Sequence, residues 1–137
     1  SGRAMTADAD AGGGAPSPDV LVEGVLEAGF DGPTLLVAPC DEVGRDAPAW
    51  AAAFFRAGLP HRVRVASAIT PALAPGEIDD IASEAASLGA ALVVVVAGSA
   101  GDAAARDLAE EIARTSRRPA AVWHGVRRTL SLLPDCR

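Results

Sequence analysis

Two stretches of the chain are apolar almost throughout, Thr34–Ala38 and Ala91–Ala97. Each is followed by a segment whose apolar residues recur every three or four positions. The first pattern predicts strands covered on both faces, the second amphipathic helices. Ser17-Pro18-Asp19 starts a helix with a cap, a proline and an acid. Leu21, Val22, Val25 and Leu26 form its face, and Gly29 stops it. After the Thr34–Ala38 strand, a helix is predicted from about Asp46 to Ala57, burying Trp50 and Phe54 and ending at Gly58. His61–Ser67 alternates polar and apolar, as an edge strand does. Pro75-Gly76 opens a helix with Ile78, Ile81, Ala82 and Ala85 on one side, closed by Gly89. Beyond Ala91–Ala97 come a helix from about Asp102 to Thr115 and a strand over Pro119–Trp123. Val126, Leu130 and Leu133 then suggest a last helical turn or two before Pro134.

Strands separated by helices imply right-handed crossovers and a parallel sheet. The charged Arg62 and Arg64 put the second strand at the edge, and the apolar first and third strands belong inside. The expected architecture is therefore α/β: a three-layer αβα sandwich around a four-stranded parallel sheet of order 2-1-3-4. An extra helix precedes it. This is the flavodoxin-like winding, a general plan shared by anticodon-binding and cobalamin-binding domains. Residues 1–16, rich in Gly, Ala and Asp, read as a disordered tail, and 17–137 as a single α/β domain.

Composition narrows the function classes. A chain of 137 residues that is 50% hydrophobic has enough apolar material for one core. Its net charge of -6 has the wrong sign for general affinity to a phosphate backbone or an anionic membrane surface, so neither nucleic acid nor membrane is an expected partner. All 12 basic residues are arginine, which leaves any anion to guanidinium or backbone N–H groups. Cys40 and Cys136 offer neither a disulfide framework nor a zinc spacing, and read as reduced thiols. No metal site is expected, and no cofactor can be named. No stretch resembles a signal peptide or a membrane span, so the expected location is cytoplasmic.

In a sheet wound this way, ligands sit beyond the carboxyl ends of the strands where the winding reverses. Two predicted loops meet there: Pro39-Cys40-Asp41-Glu42-Val43-Gly44-Arg45 and Gly98-Ser99-Ala100-Gly101-Asp102. Glycines let backbone N–H groups approach a ligand, and a following helix N-terminus favours an anion. Cys40, Asp41, Arg45, Gly98, Ser99, Gly101 and Asp102 are therefore the candidate ligand-binding residues. The competing reading is plainer: any such turn needs small residues, and Ser99 or Asp102 merely caps the helix. Candidates for catalysis are Cys40, with Arg45 nearby to favour a thiolate, Ser99, and His124, which follows the fourth strand. His61 lies at the opposite end of the sheet. Arg117-Arg118 and Arg127-Arg128 suggest a small basic patch or helix-end complements.

Gly58-Leu59-Pro60, Arg62-Val-Arg-Val-Ala-Ser-Ala68 and Ala97-Gly98-Ser99-Ala100-Gly101 together resemble the carboxyaminoimidazole ribonucleotide mutase family of purine synthesis. That family carries Ser-Ala-His-Arg-Thr-Pro after its second strand. Here Ser67-Ala68-Ile69-Thr70-Pro71 has neither the His nor the Arg. Leu35–Ala38 and Pro75-Gly76-Glu77-Ile78 resemble the cobalamin-binding domains of mutases. The cobalt-ligating His of their Asp-x-His-x-x-Gly motif has no counterpart in Asp41-Glu42-Val43-Gly44. Each resemblance spans most of Thr34 to Gly101 and implies the winding rather than an activity.

The leading expectation is a small cytosolic α/β module that lacks a convincing catalytic set and binds a small anionic ligand or a protein partner. The alternative is a phosphate- or nucleotide-handling enzyme with its site at the 39–45 and 98–102 loops. A third is an oligomeric scaffold using the edge strand or the last helix.

Overall fold

A computed structural model describes residues 17–70, 72–97, 101–125 and 127–133. The tail expected over residues 1–16, the loop residues Gly98 and Ser99, and Cys136 lie outside the described residues. The elements in chain order are α1 (Ser17–Glu27), β1 (Thr34–Pro39), α2 (Cys40–Ala57), β2 (His61–Ala66), α3 (Pro75–Leu88), β3 (Leu92–Val96), α4 (Asp102–Ser116), β4 (Ala120–His124) and β5 (Thr129–Leu132).

The fold is mixed α/β. Among the described residues the sheet has five strands, in the order β2-β1-β3-β4-β5. β1 pairs in parallel with both β2 and β3, and β3 with β4. β5 runs antiparallel to β4, with Ala121 opposite Leu132 and His124 opposite Thr129.

That fifth strand corrects the expected four-stranded, all-parallel sheet and the expected final helical turns. Val126, Leu130 and Leu133 fit a helical spacing, but Thr129-Leu-Ser-Leu132 is equally a short alternating strand. An open edge on β4 decides between them, because a strand there satisfies backbone groups that a helix would leave unpaired. The hairpin turn is tight, with Arg128 in the left-handed region at φ 54°.

Alternation along the inner strands divides the core in two. Leu36 and Ala38 of β1, with Leu92, Val94 and Val96 of β3, face α1 and α2, where Leu21, Val25, Trp50 and Phe54 meet them. Leu35 and Val37, with Val93 and Val95, face α3 and α4, against Ile78, Ile81, Leu108 and Ile112. Strands covered on both sides have no polar face, which is why the valine run carries none. Gly24 of α1 packs so closely on β5 that a Cβ there would stand 3.3 Å from Leu130.

The second correction concerns α2. The stretch from Cys40 to Arg45, expected as loop, forms the first turns of that helix. Gly44 and Pro48 suggest a break, but Val43, Ala47, Trp50 and Phe54 continue one apolar stripe onto the sheet. Asp41 and Glu42 occupy the first turn, where negative charge suits the helix end. Pro39 precedes them with an extended backbone, φ -70° and ψ 159°.

Edge strand β2 is not a freely solvated charged face. Arg64 donates from Nη1 to Glu84 Oε1 on α3 at 3.1 Å, and Arg62 lies 3.8 Å from the other carboxylate oxygen. Just after β2, the Ser67 N–H and hydroxyl donate to the two carboxylate oxygens of Glu77, at 2.8 and 2.7 Å. These bonds, the backbone one first, hold the Glu77 carboxyl below the ordinary glutamate range. A carboxyl depressed in this way stabilises the fold above its unfolded pKa, and the effect is lost as the pH falls through the folded pKa. Glu77→Ala is therefore expected to cost up to about 1 kcal/mol at pH 7, a modest figure because the group is exposed. Urea denaturation at pH 7 and at about pH 3 checks this: the difference from wild type should close at the lower pH.

Candidate functional site

Parallel pairing of β1 with β3 and of β3 with β4 brings the ends of all three strands to one rim. A cavity of about 670 Å³ opens there, within the range of small-molecule sites. One wall is the start of α2, with Glu42, Arg45 and Asp46. The floor is Val96, Ala97 and the rings of Trp50 and Trp123. The far wall is Asp102, His124 and Arg127.

Each wall is built from local features. On α2, the Arg45 guanidinium bonds Glu42 Oε1 at 2.6 Å and both oxygens of Asp46 at 3.2 Å. These bonds and charges hold Arg45 firmly in its charged form. On the far side, Gly101 precedes α4 with φ 91°, a conformation glycine reaches without strain. Gly101, the N-cap, has no side chain to offer the helix, and the carboxylate of Asp102 in its first turn is turned toward β4.

Asp102 reaches across to the end of β4. Its Oδ1 lies 2.7 Å from His124 Nδ1, and its Oδ2 accepts from Arg127 Nη2. Arg127 Nη2 is also 3.3 Å from His124 Nδ1. Alternation along β4 explains the meeting. Trp123 joins the core beneath α1 and α2, so the next residue, His124, leaves toward the face that carries α4. The His124 side chain is only 10% exposed. Burial, with Arg106 as a second cause, pushes its pKa below the ordinary histidine value. Asp102, His124 and Arg127 also line a second hollow of about 380 Å³, together with Arg106, Val122 and Ser131.

Of the residues nominated from sequence, Arg45, Asp102 and His124 line the cavity. Cys40 and Asp41 are exposed at the start of α2 and are not among its lining. The Cys40 thiol is free, and Asp41 Oδ1 accepts the Glu42 N–H at 3.0 Å. Gly101 serves as the backbone cap of α4. Among the described residues, no group of three or more His, Cys, Asp and Glu could hold a metal ion, and no helix is long and apolar enough to cross a membrane.

No family model matches this chain, and no curated protein matches it.

Asp46, Trp50, Trp123 and Arg127 contribute to the cavity without having been nominated as site residues. Trp50 reads as core, and it is core: both tryptophans are 2% exposed, so little of either ring meets the cavity. Arg127 reads as half of a basic pair, yet it binds Asp102, while Arg118 donates to the Ala90 carbonyl at 2.8 Å. Nothing in the spacing of Asp102 and Arg127 foretells their contact, since the turn between β4 and β5 makes it.

Proposed function

We propose that this protein is a small-molecule binding module whose ligand occupies the cavity at the carboxyl ends of β1, β3 and β4. The observation that carries the reading is that cavity: an apolar, aromatic floor with polar groups from several elements around its mouth. Its position beside the β1–β3 pair, where the winding reverses, supports a flavodoxin-like grouping. Among the described lining residues, three carboxylates (Glu42, Asp46 and Asp102) face two guanidiniums, and both guanidiniums are already paired. That balance favours an uncharged polar ligand over the anion anticipated from the glycine-rich loop. A cytosolic setting suits the free Cys40 thiol.

A phosphate- or nucleotide-handling enzyme is the second reading, favoured by one observation. Helices α2 and α4 both begin at this rim, and helix N-termini carry partial positive charge. Amide chemical-shift mapping with two sets of compounds separates the readings. One set holds neutral sugars, nucleosides and esters; the other holds nucleotides, sugar phosphates and CoA-type anions. Shifts at Arg45, Trp50, Asp102 and His124 with the neutral set are expected. A response confined to the anions would move the conclusion to the second reading, and no response at the cavity to either set would remove both.

A further inference from the structure

The contact between Asp102 and His124 fixes more than a position. Of the two groups near Nδ1, the Asp102 oxygen at 2.7 Å can only accept and Arg127 Nη2 at 3.3 Å can only donate; the shorter contact takes precedence and assigns the hydrogen of the neutral ring to Nδ1. Nδ1–H then donates to Asp102, and the lone pair is left on Nε2. Arg127, bound to the second oxygen of Asp102, holds that carboxylate in place. The result is a carboxylate–imidazole pair on the wall of a cavity, with the basic nitrogen unused by Asp102.

We propose that His124 is a general base, with Asp102 as its positioning residue, and that the bound ligand class is an uncharged acyl ester that the protein hydrolyses. This proposal rests on the binding reading above and adds a reaction to it. His124 Nε2 takes a proton from a water molecule in the cavity as the water oxygen bonds to the ester carbonyl carbon. The carbonyl carbon–oxygen bond to the leaving group then breaks. The leaving alcohol or phenol departs with the proton returned from the imidazolium, and the carboxylic acid product ionises into solvent. No oxidant, metal or second substrate is needed. The net negative lining described above disfavours a phosphate ester and tolerates an uncharged one. The charged groups around the imidazole are Asp102 and Arg106 from α4, Arg127 from the β4–β5 turn, and Glu42, Arg45 and Asp46 across the cavity.

The test uses the full chain with p-nitrophenyl acetate. Wild-type protein is expected to release p-nitrophenol faster than free imidazole at the same concentration. His124→Gln should lower the rate by about 100-fold or more, in keeping with the usual contribution of a general base. Asp102→Asn should lower it by about tenfold or more, because an amide replaces the ionised acceptor and its N–H can donate to Nδ1, which releases the ring proton to Nε2. His61→Gln, at the far end of the sheet, should leave the rate unchanged. Since the chain has only two histidines, nitrogen-15 spectra of their rings provide a second readout that needs no variant of His124 to fold. Neutral His124 should carry its proton on Nδ1 in the wild type and lose that preference in Asp102→Asn. A rate no greater than that of imidazole, a rate retained in folded His124→Gln, or a proton on Nε2 would each overturn the proposal. Ligand shifts at the cavity without His124-dependent hydrolysis would dismiss the base and keep the binding module. His124-dependent hydrolysis without any ligand shift at the cavity would dismiss the binding site instead, and with it this proposal.

Discussion

Replacing Phe54 with alanine is expected to remove about 3–5 kcal/mol from the stability of the fold. The ring is fully buried on the inner face of α2, in the same cluster as Leu36 of β1 and Leu92 and Val94 of β3. It also stacks on His61 at the start of β2, with ring centroids 5.0 Å apart and planes 12° apart. Truncation loses the transfer free energy of the ring and leaves a cavity that a helix held by Trp50 and Ala53 cannot close. Natural domains have total stabilities of about 5–15 kcal/mol, so the loss is a large share. Chemical denaturation of both proteins measures it, and a change below about 1 kcal/mol would show that α2 does not pack on the sheet as described. A second readout follows from His61, whose pKa burial holds below the ordinary value. A histidine depressed in this way favours the fold above its unfolded pKa and costs stability as the pH falls through that value toward the folded one. In Phe54→Ala the His61 titration should return toward the ordinary value near 6.5, and that part of the acid sensitivity should shrink.

Pro48→Ala is expected to act in the opposite direction, raising stability by about 2–2.6 kcal/mol. Pro48 is the ninth residue of α2, exposed, with the helix running from Cys40 to Ala57. Within a helix its ring crowds the carbonyl of Gly44, four residues earlier, and it offers no N–H to that carbonyl, a cost of about 3 kcal/mol relative to alanine. Alanine recovers the hydrogen bond and loses no packing. Part of the gain is offset because an alanine chain has more unfolded conformations, by about 0.4–1 kcal/mol. The experiment discriminates between two starts for the helix. Were the helix to begin near Asp46, as the sequence pattern suggests, Pro48 would sit in its first turn, where proline is harmless. The substitution would then be neutral or destabilising.

These two helix starts illustrate where the sequence can be read and where it cannot. Gly44 and Pro48 are local obstacles to a helix, and a local reading gives them priority. The apolar stripe from Val43 to Phe54 gains its value only when a sheet lies beneath it. The candidate site has the same character. Asp102 and His124 can each be nominated alone, the first as a cap or ligand contact and the second as a lone histidine near a strand end. Their 2.7 Å contact joins positions 22 residues apart. It depends on β3 and β4 pairing in parallel and on the pleat of β4, which no short window contains. Cys40 follows a strand that ends at the right rim, yet its side chain is not among the cavity's lining residues.

By itself the sequence determined the alternation of buried strands and amphipathic helices. Segments covered on both faces must be apolar throughout, and helices covered on one face must carry a stripe; both patterns are local. It also marked the helix ends, because Gly29, Gly58 and Gly89 take positive φ values of 93°, 73° and 70° at the stops, where other residues are strained. Tertiary structure alone decided the fifth strand, the early start of α2 and the Asp102–His124–Arg127 cluster. Each is a choice between locally similar alternatives, and the free energy that separates them comes from pairing and burial against residues distant in the chain.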